Sequence, residues 1–443
     1  MNIRTRVILL PAMALILGAT FFSECNAANA AIKVGCGWSV NTDETKAVNE
    51  ALVMLRRSVT NPNFVFVLNE SAYDDNVVIK ALNNSLKNTK VFGYEVSFAV
   101  FTQEGIHRGE KGSLALMGIE AKEWAFGIGG IDMSAVVSVD DIQKTATRAI
   151  ETAIQNAGKK RGDVPSVVLI APTRLKEEPI LDAIQAMFGK EVKVMGGTPG
   201  SPMVFANNQV IDNGFALAVL YGNTKVGVGY HSGVQTGIRM DKELSGVVTA
   251  MGENSRIIKE IDGRPAFDVY NEWSEGRFDY IDIKNLKEPF EIWKTAGRNP
   301  LVKKYDLGDG KFGTNVAIPV KILPDRSIIL GTDHKVGETL FYAVGIKNAY
   351  VKRAGTIVKH ALVNGKIKKK NLIGGIHAYC RGAAFGQLGQ EVSKLEPLVD
   401  ETKKEMNGMP FIGGFTAGEQ GNIPGHGCFH GNLSSSMVVF SKE

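Results

Sequence analysis

The stretch MPFIGGFTAGEQGNIPGHGCFHGNLSSSMVVF, residues Met409 to Phe440, decides the fold of the chain. It begins with a short apolar run, passes through Gly413-Gly414 into a glycine-rich polar loop, and ends in a second apolar run. Glycine allows left-handed backbone and close approach of other atoms, so such a loop folds back tightly or lines a cavity. The loop also carries one acid, two histidines and a cysteine, which raises the question of a catalytic, metal or ligand-binding site.

The same order of elements occurs three times along the chain. In the first copy, a buried strand beginning at Phe64 is followed by a helix and by a strand that reaches Gly93, 29 residues later. In the second copy, Ser166 and Gly196 are 30 residues apart. In the third copy, Gly413 of the opening stretch holds the same place. Matched spacings favour an internal repeat over chance similarity of α/β segments.

The repeated unit is helix–strand–helix–strand–loop–strand. Units of this kind bury their apolar faces by joining into sheets with helices outside. The sequence therefore predicts an α/β fold of mixed β-sheets flanked by helices. Residues Thr224 to Gly345 differ from the copies. Their strand-like runs, together with a short helix near Phe267 to Glu275, predict an inserted α+β portion.

The N-terminus has the three parts of a secretory signal peptide. Arg4 and Arg6 precede an apolar run from Val7 to Phe22, and Ala28-Asn29-Ala30 has the small residues of a cleavage site. We expect cleavage after Ala30 and export to the periplasm or the medium. Whether the mature protein is soluble or lipid-anchored stays open.

Length and composition limit the number of domains and the kinds of partner. With 443 residues, of which 44% are apolar, the chain is long enough for more than one domain with its own core. We predict two domains after the signal peptide (1–30), at residues 31–223 and 224–443. The net charge is only +5, and no basic cluster is interleaved with aromatic residues, which argues against a nucleic-acid partner.

Three cysteines remain after the expected cleavage, namely Cys36, Cys380 and Cys428. In an oxidising compartment, three cysteines predict one disulfide and one leftover thiol, with Cys380–Cys428 the obvious bridge. The competing hypothesis makes Cys380 a nucleophile with a histidine and Glu419 as partners, because cysteine catalysis needs a base and a group that orients it. The bridge is favoured and catalysis stays open.

Alternate residues His426, Cys428 and His430 would share one face of a strand and are zinc-ligand types. The glycines between them favour an irregular turn with incidental histidines instead. The sequence therefore predicts no metal and no cofactor.

Arg381 follows a predicted strand and precedes a glycine. At a strand's carboxyl end, its guanidinium is suited to hold a carboxylate or a phosphate through two hydrogen bonds, while a salt bridge to Glu419 is the equal alternative. Gly197 and Thr198 follow the corresponding strand of the second copy. Their loop lacks the lysine and the helix of a phosphate-binding loop, so we predict a ligand-facing edge rather than a nucleotide site.

Three segments of the chain resemble the C-terminal part of FIST domain proteins. They are AYCRGAAFG (378–386), PFIGGFTAGE (410–419) and FHGN (429–432). The region from Asn61 to about Leu220 is similar to the N-terminal FIST part, with its paired glycine-ended strands. The resemblance covers nearly all of the mature chain.

The resemblance implies a sensory, small-ligand-binding role, because FIST domains are associated with bacterial signal transduction and are proposed to bind ligands such as amino acids. It favours an exported binding protein over an enzyme; the alternative is a thiol-dependent hydrolase that uses Cys380. No catalytic residue is predicted, and the signalling partner stays unknown. Arg381 would hold a carboxylate, and Glu419 or Asn432 would hold an amine or other polar group. The predicted ligand-binding residues are Arg381, Glu419, His430, Asn432, Gly197, Thr198 and Cys380.

Overall fold

The structure is a computed structural model that describes residues 32–239 and 242–443. It confirms the predicted α/β class, with mixed sheets flanked by helices. The predicted signal peptide and its cleavage site lie outside the described residues. None of the helices in the described residues has the length and apolar character that a membrane span requires.

Three of the described helices begin at short polar side chains that cap them. Asp43, Asp74 and Ser138 each accept a hydrogen bond from a backbone N–H of the first turn that follows. The helices are α1 (Glu44–Arg56), α2 (Asp75–Ser85), α3 (Val139–Asn156), α4 (Glu177–Phe188), α5 (Ala266–Trp273), α6 (Trp293–Ala296), α7 (Lys347–Asn364), α8 (Arg381–Ala383) and α9 (Val392–Met406). A 3₁₀ turn spans Lys369–Asn371, and a π turn at Ala384–Leu388 follows α8.

The strands are rich in β-branched, aromatic and glycine residues. The first two copies contain β1 (Lys33–Ser39), β2 (Phe64–Glu70), β3 (Lys90–Thr102), β4 (Gly105–His107), β5 (Leu114–Glu120), β6 (Ala125–Asp132), β7 (Val167–Ala171), β8 (Val194–Gly197), β9 (Val204–Ala206), β10 (Gln209–Ile211) and β11 (Gly214–Tyr221). Then follow β12 (Val226–His231), β13 (Val234–Thr236), β14 (Ile238–Arg239), β15 (Lys242–Glu243), β16 (Ser245–Met251), β17 (Ile257–Ile261), β18 (Arg264–Pro265), β19 (Phe290–Glu291), β20 (Leu301–Gly308), β21 (Lys311–Ala317), β22 (Pro319–Ile322), β23 (Ile328–Leu330) and β24 (Thr339–Gly345). The third copy ends with β25 (Leu372–Cys380), β26 (Phe411–Thr416), β27 (Glu419–Ile423), β28 (Gly427–Gly431) and β29 (Ser435–Ser441).

All three copies have the same strand order. It is β1-β5-β2-β3 in the first, β6-β11-β7-β8 in the second and β12-β29-β25-β26 in the third. In each copy the central strand runs parallel to the strand after its helix and antiparallel to the closing strand. The predicted repeat is therefore a topological repeat, and each copy also has an edge strand that precedes its first helix.

Each copy also completes the sheet of another copy. The β9–β10 hairpin of the second copy pairs with β3 of the first, and the β27–β28 hairpin of the third copy pairs with β8 of the second. The second half of β3 pairs with β26 of the third copy. In this register Gly93 faces Phe205, Gly196 faces Gln420, and Gly413 faces Phe101. The pairings close the three copies into a pseudo-threefold ring. Gly93, Gly196 and Gly413 hold equivalent positions in this ring.

The sheets bury both faces. On β2, Phe66 joins an apolar core that also receives Leu169 from the second copy and Ile376 from the third. The alternate residue Val67 instead packs under α1 and α2. This alternation follows from the two-residue period of a strand and gives the ring one shared core plus separate cores beneath its helices.

Two sequence expectations need correction. The run Lys225 to Tyr230 was expected in the inserted portion, but β12 pairs with β29 as the edge strand of the third copy. The ten-stranded sheet of the insert starts only at β13. The loop expected after Gly414 contains the ordered β27–β28 hairpin. The first difference comes from long-range pairing, which local patterns do not encode. The hairpin is local, but it also pairs with β8, which is far away in sequence.

Glycines let the helices lie directly on the edge strands. A Cβ on Gly37 would lie 1.9 Å from the carbonyl oxygen of Ala51 in α1. The equivalent Gly129 and Gly229 would meet carbonyl oxygens of α3 and α7 at 2.0 and 2.2 Å. Backbone this close excludes any larger residue, so these positions require glycine.

Candidate functional site

Arg381 lies where the three copies meet. It follows β25 of the third copy directly and is half-buried. Its Nη1 donates to the hydroxyl of Ser97 from the first copy and to the carbonyl oxygen of Gly200 from the second, both at 3.1 Å. The guanidinium is therefore positioned by both other copies.

Arg174 is the counterpart of Arg381 in the second copy. In the second copy Ile170 pairs with Gly196, and in the third copy His377 pairs with Gly413. Arg174 comes four residues after Ile170, and Arg381 comes four residues after His377. Burial and the positive charge of Arg174 lower the pKa of Arg381. Neither arginine forms an ion pair with a carboxylate within the described residues, so the alternative salt bridge from Arg381 to Glu419 is absent there.

Glu419 is fully buried at the start of β27. Its Oε1 accepts a hydrogen bond from Thr416 Oγ1 at 2.8 Å, and its Oε2 accepts one from the backbone N–H of Ser434 at 3.1 Å. Burial raises the pKa of Glu419 to about 8. The carboxyl group is therefore a protonated, hydrogen-bonded part of the core at neutral pH.

Cys380 lies next to Glu419 and is also buried. Burial, and then the negative charge that Glu419 can carry, raise the pKa of the Cys380 thiol to about 12. The expected Cys380–Cys428 bridge is not formed, because the three cysteines of the described residues are free and these two belong to different cores. Cys428 packs against α4, with its Sγ 4.0 Å from the carbonyl oxygen of Leu181.

His430 belongs to a second polar cluster, formed with α4 and the insert. Its Nδ1 lies 3.0 Å from Glu178 Oε1, and its Nε2 lies 3.8 Å from Glu177 Oε1. Burial opposes protonation of His430, but the negative charges of Glu177 and Glu178 outweigh it and raise the pKa of His430. The histidine was predicted from the sequence; its two acidic partners were not.

Arg256 joins the two glutamates to the insert. Its Nη2 lies 2.7 Å from Glu178 and 3.1 Å from Glu177, and its Nε donates to Asp333 at 2.7 Å. Burial works against the charged form of Glu178, but His430 and Arg256 together lower its pKa well below the usual range. The paired acids at the start of a helix were the one sequence signal for this cluster, and that signal also fits ordinary helix stabilisation.

The predicted residue Thr198 connects β8 to this cluster. Its Oγ1 donates to Glu177 Oε1 at 3.2 Å and accepts from Gln420 Nε2 at 3.0 Å. The neighbouring Gly197 pairs with Glu419. Thr198 thus touches the His430 cluster, while Gly197 borders the buried acid.

Asn432 anchors the insert to the third copy. Its Oδ1 accepts from the backbone N–H of Ile318 at 3.1 Å, and its Nδ2 donates to the carbonyl oxygen of Gly331 at 3.4 Å. Both ends of the side-chain amide therefore have backbone partners.

The three residues of the zinc hypothesis contact different neighbours. His426 Nε2 lies 2.6 Å from the carbonyl oxygen of Asp306, Cys428 packs against α4, and His430 contacts Glu178. A cleft of about 500 Å³ lies elsewhere, between β1 and α1, where Trp38, Met54 and other side chains line it. None of the predicted ligand-binding residues lines that cleft.

The family model described as FIST N domain matches residues 16–264, more than half of the chain. No curated protein matches the chain. Among solved structures, a cyanuric acid hydrolase from A. caulinodans is 10% identical, with a TM-score of 0.27, over 45% of this chain and 72% of that chain.

A second solved structure is also of a cyanuric acid hydrolase, described as an evolutionary innovation by structural concatenation. It is 8% identical to this chain, with a TM-score of 0.32, and the match covers 93% of this chain and 100% of that chain. PurLQS from Thermotoga maritima is 9% identical, with a TM-score of 0.22, and the match covers 94% of this chain and 74% of that chain. At these TM-scores the three likenesses support no argument about function.

Proposed function

The chain belongs to the FIST N domain family, and from this membership we propose that it is a sensory protein that binds a small anionic ligand where its three repeats meet. The ligand class is an amino acid or another small carboxylate. We propose further that the C-terminal half is a FIST C-terminal-like domain and that the protein is exported after cleavage near Ala30.

The observation that carries this proposal is the pair of arginines. Arg174 and Arg381 hold equivalent repeat positions, interact as like charges, and have no carboxylate partner among the described residues. Two cations close enough to affect each other's charge favour an anion between them. A guanidinium matches a carboxylate through two parallel hydrogen bonds.

Ser97 and Gly200 favour Arg381 as the member that fixes the ligand's orientation. They engage only Nη1 in hydrogen bonds within the described residues, which leaves Nη2 and Nε for a ligand. Arg174 is exposed and would close on the bound anion from the solvent side. Both arginines act in this proposal; the buried acid Glu419 only supports the loop.

Binding is favoured over thiol catalysis because of the state of Cys380. A nucleophilic cysteine needs a thiolate, and a pKa of about 12 keeps this thiol protonated near neutral pH. The thiol-dependent hydrolase therefore remains the second hypothesis.

A thermal-shift screen against amino acids and small mono- and dicarboxylates tests the proposal. A ligand at 100 times its Kd stabilises the folded state by about 2.7 kcal/mol, which raises the melting temperature measurably. The shift should vanish in Arg381→Ala and persist in Arg161→Ala, an exposed arginine of the same copy as Arg174. No shift with any compound, or an unchanged shift in Arg381→Ala, would reject this binding site.

A further inference from the structure

We propose that Glu177 and His430 bind a divalent transition-metal cation such as Zn²⁺, with Glu178 orienting the histidine. This site is separate from the Arg381 site and does not depend on the proposed ligand. It shares His430 with the zinc hypothesis of His426, Cys428 and His430, but it differs from that hypothesis because it joins residues of two repeats.

The geometry of His430 carries the proposal. One oxygen or nitrogen atom from each of Glu177, Glu178 and His430 lies within 4.8 Å of the others. Glu178 Oε1 lies 3.0 Å from Nδ1 and therefore fixes that nitrogen as the N–H donor. Nε2 is then the nitrogen with the free lone pair, 3.8 Å from Glu177 Oε1. In metal sites, the histidine ligand usually donates its other ring N–H to a carboxylate or a carbonyl oxygen, which fixes the orientation of the ring.

Two buried polar atoms without partners point to a ligand here. His430 Nε2 and Gln420 Oε1 have no hydrogen-bond partner within the described residues, although both side chains are at least nine-tenths buried. Gln420 pairs with His430 in the β27–β28 hairpin, and Thr198 is hydrogen-bonded to Gln420 and to Glu177. Buried polar atoms without partners are costly, so a ligand to His430 Nε2 would stabilise the fold.

Gly418 lies beside His430 Nε2 and has no side chain. A Cβ on Gly418 would lie 2.5 Å from His430 Nε2 and 3.4 Å from Thr198 Oγ1. Glycine at this position therefore keeps the space beside Nε2 free of a side chain.

Charge balance favours a divalent cation. Three carboxylates, of Glu177, Glu178 and Asp333, surround Arg256, which leaves two negative charges. The nearby Lys303 is already paired with Glu338. A divalent cation that takes the place of a proton on His430 Nε2 would leave the histidine neutral and balance both charges. Imidazole nitrogen with carboxylate oxygen is a donor set that suits zinc and its neighbours in the first transition row.

Metal analysis of the full-length protein tests the site. We expect untagged protein, stripped with a chelator and reloaded with Zn²⁺, to retain about one equivalent after gel filtration. His430→Gln and Glu177→Gln should weaken Zn²⁺ affinity by about 100-fold or more, and Glu178→Gln by about 10- to 100-fold. The matched control is His426→Ala, on the same hairpin, which should bind Zn²⁺ like the unmodified protein.

Circular dichroism identifies a variant that fails to fold. Glu177→Gln and Glu178→Gln are the mildest of the set because the amide keeps the size of the carboxylate. Unmodified protein that retains no stoichiometric metal would overturn the proposal. So would Zn²⁺ binding that survives in folded His430→Gln or Glu177→Gln. Neither result would affect the ligand site at Arg381.

Discussion

Arg174 and Arg381 occupy the same position in two copies of one repeat. Arg174 comes four residues after the residue that pairs with Gly196, and Arg381 comes four residues after the residue that pairs with Gly413. The first copy has Ser71 at this position. Burial lowers the pKa of Arg381, and the positive charge of Arg174 across the junction of the copies lowers it further. Repetition of the fold thus brings together two cations that lie far apart in sequence.

The glycines of the edge strands should not tolerate a methyl group. In Gly37→Ala the new Cβ would overlap the carbonyl oxygen of Ala51, and since this neighbour is backbone the helix must shift. We expect a loss of about 1–3 kcal/mol in the free energy of unfolding, measured with urea. Gly386→Ala, where a Cβ meets nothing within 4 Å, should change stability by less than about 0.5 kcal/mol. Equal stabilities of the two variants would contradict the direct helix–strand contact.

Glu419 should make stability depend on pH. Its pKa of about 8 in the folded protein lies above the value of about 4.3 in an unfolded chain, so folding favours the protonated form. The stabilisation is complete below about pH 4 and is lost as the pH rises to 8, at about 1.4 kcal/mol per unit of pKa shift.

Glu419→Gln keeps a neutral side chain of the same shape, so its stability relative to the unmodified protein should rise between pH 5 and pH 8. Urea unfolding of both proteins at several pH values measures this difference. The exposed Glu391→Gln is the control. A constant difference between Glu419→Gln and the unmodified protein would show that Glu419 is ionised when folded.

Arg256 should be needed to hold the acidic cluster together. Arg256→Met leaves the buried Glu177 and the partly buried Glu178 beside each other without Arg256, and we expect a loss of about 3–5 kcal/mol in the free energy of unfolding. Arg264→Met removes an exposed pair with Glu272 and should cost less than about 1 kcal/mol. Thermal unfolding compares the two variants. Similar melting temperatures would mean that water or another cation compensates Glu177 and Glu178.

Cys380 should react slowly while the protein is folded. Because its thiol is buried and protonated, iodoacetamide at pH 7.5 should modify it far more slowly in the native protein than in denaturant. Peptide mapping after timed alkylation measures this rate, with Cys428 as a buried reference of similarly raised pKa. Rapid native modification confined to Cys380 would support the thiol-enzyme hypothesis instead.

The sequence predicted the repeat but not how the copies join. Spacings around Gly93, Gly196 and Gly413 revealed three units, since helix and strand periods are local properties. The exchange of hairpins between copies depends on long-range pairing and left no local signal. The glycine pairs that recur in each edge strand, such as Gly35 and Gly37, were visible in the sequence and would have placed Val226 to His231 in the third copy.

The site was predicted in part for the same reason. Arg381 and His430 stood out because each lies beside glycines in a recognisable segment. Arg174, Glu177 and Arg256 lie in another copy or in the insert, and only the fold brings them near. Arg174 could have been predicted by aligning the repeats, because it holds the position of Arg381. Arg256 could not, because it lies in the insert.

Calorimetric titration with the strongest carboxylate from the thermal-shift screen tests the central claim most directly. We predict saturable binding that weakens at least about tenfold in both Arg381→Lys and Arg174→Lys, since lysine keeps the charge but loses the two-point contact. Arg161→Lys should bind like the unmodified protein. Unchanged affinity in both Arg381→Lys and Arg174→Lys would contradict an anion site at the junction of the repeats.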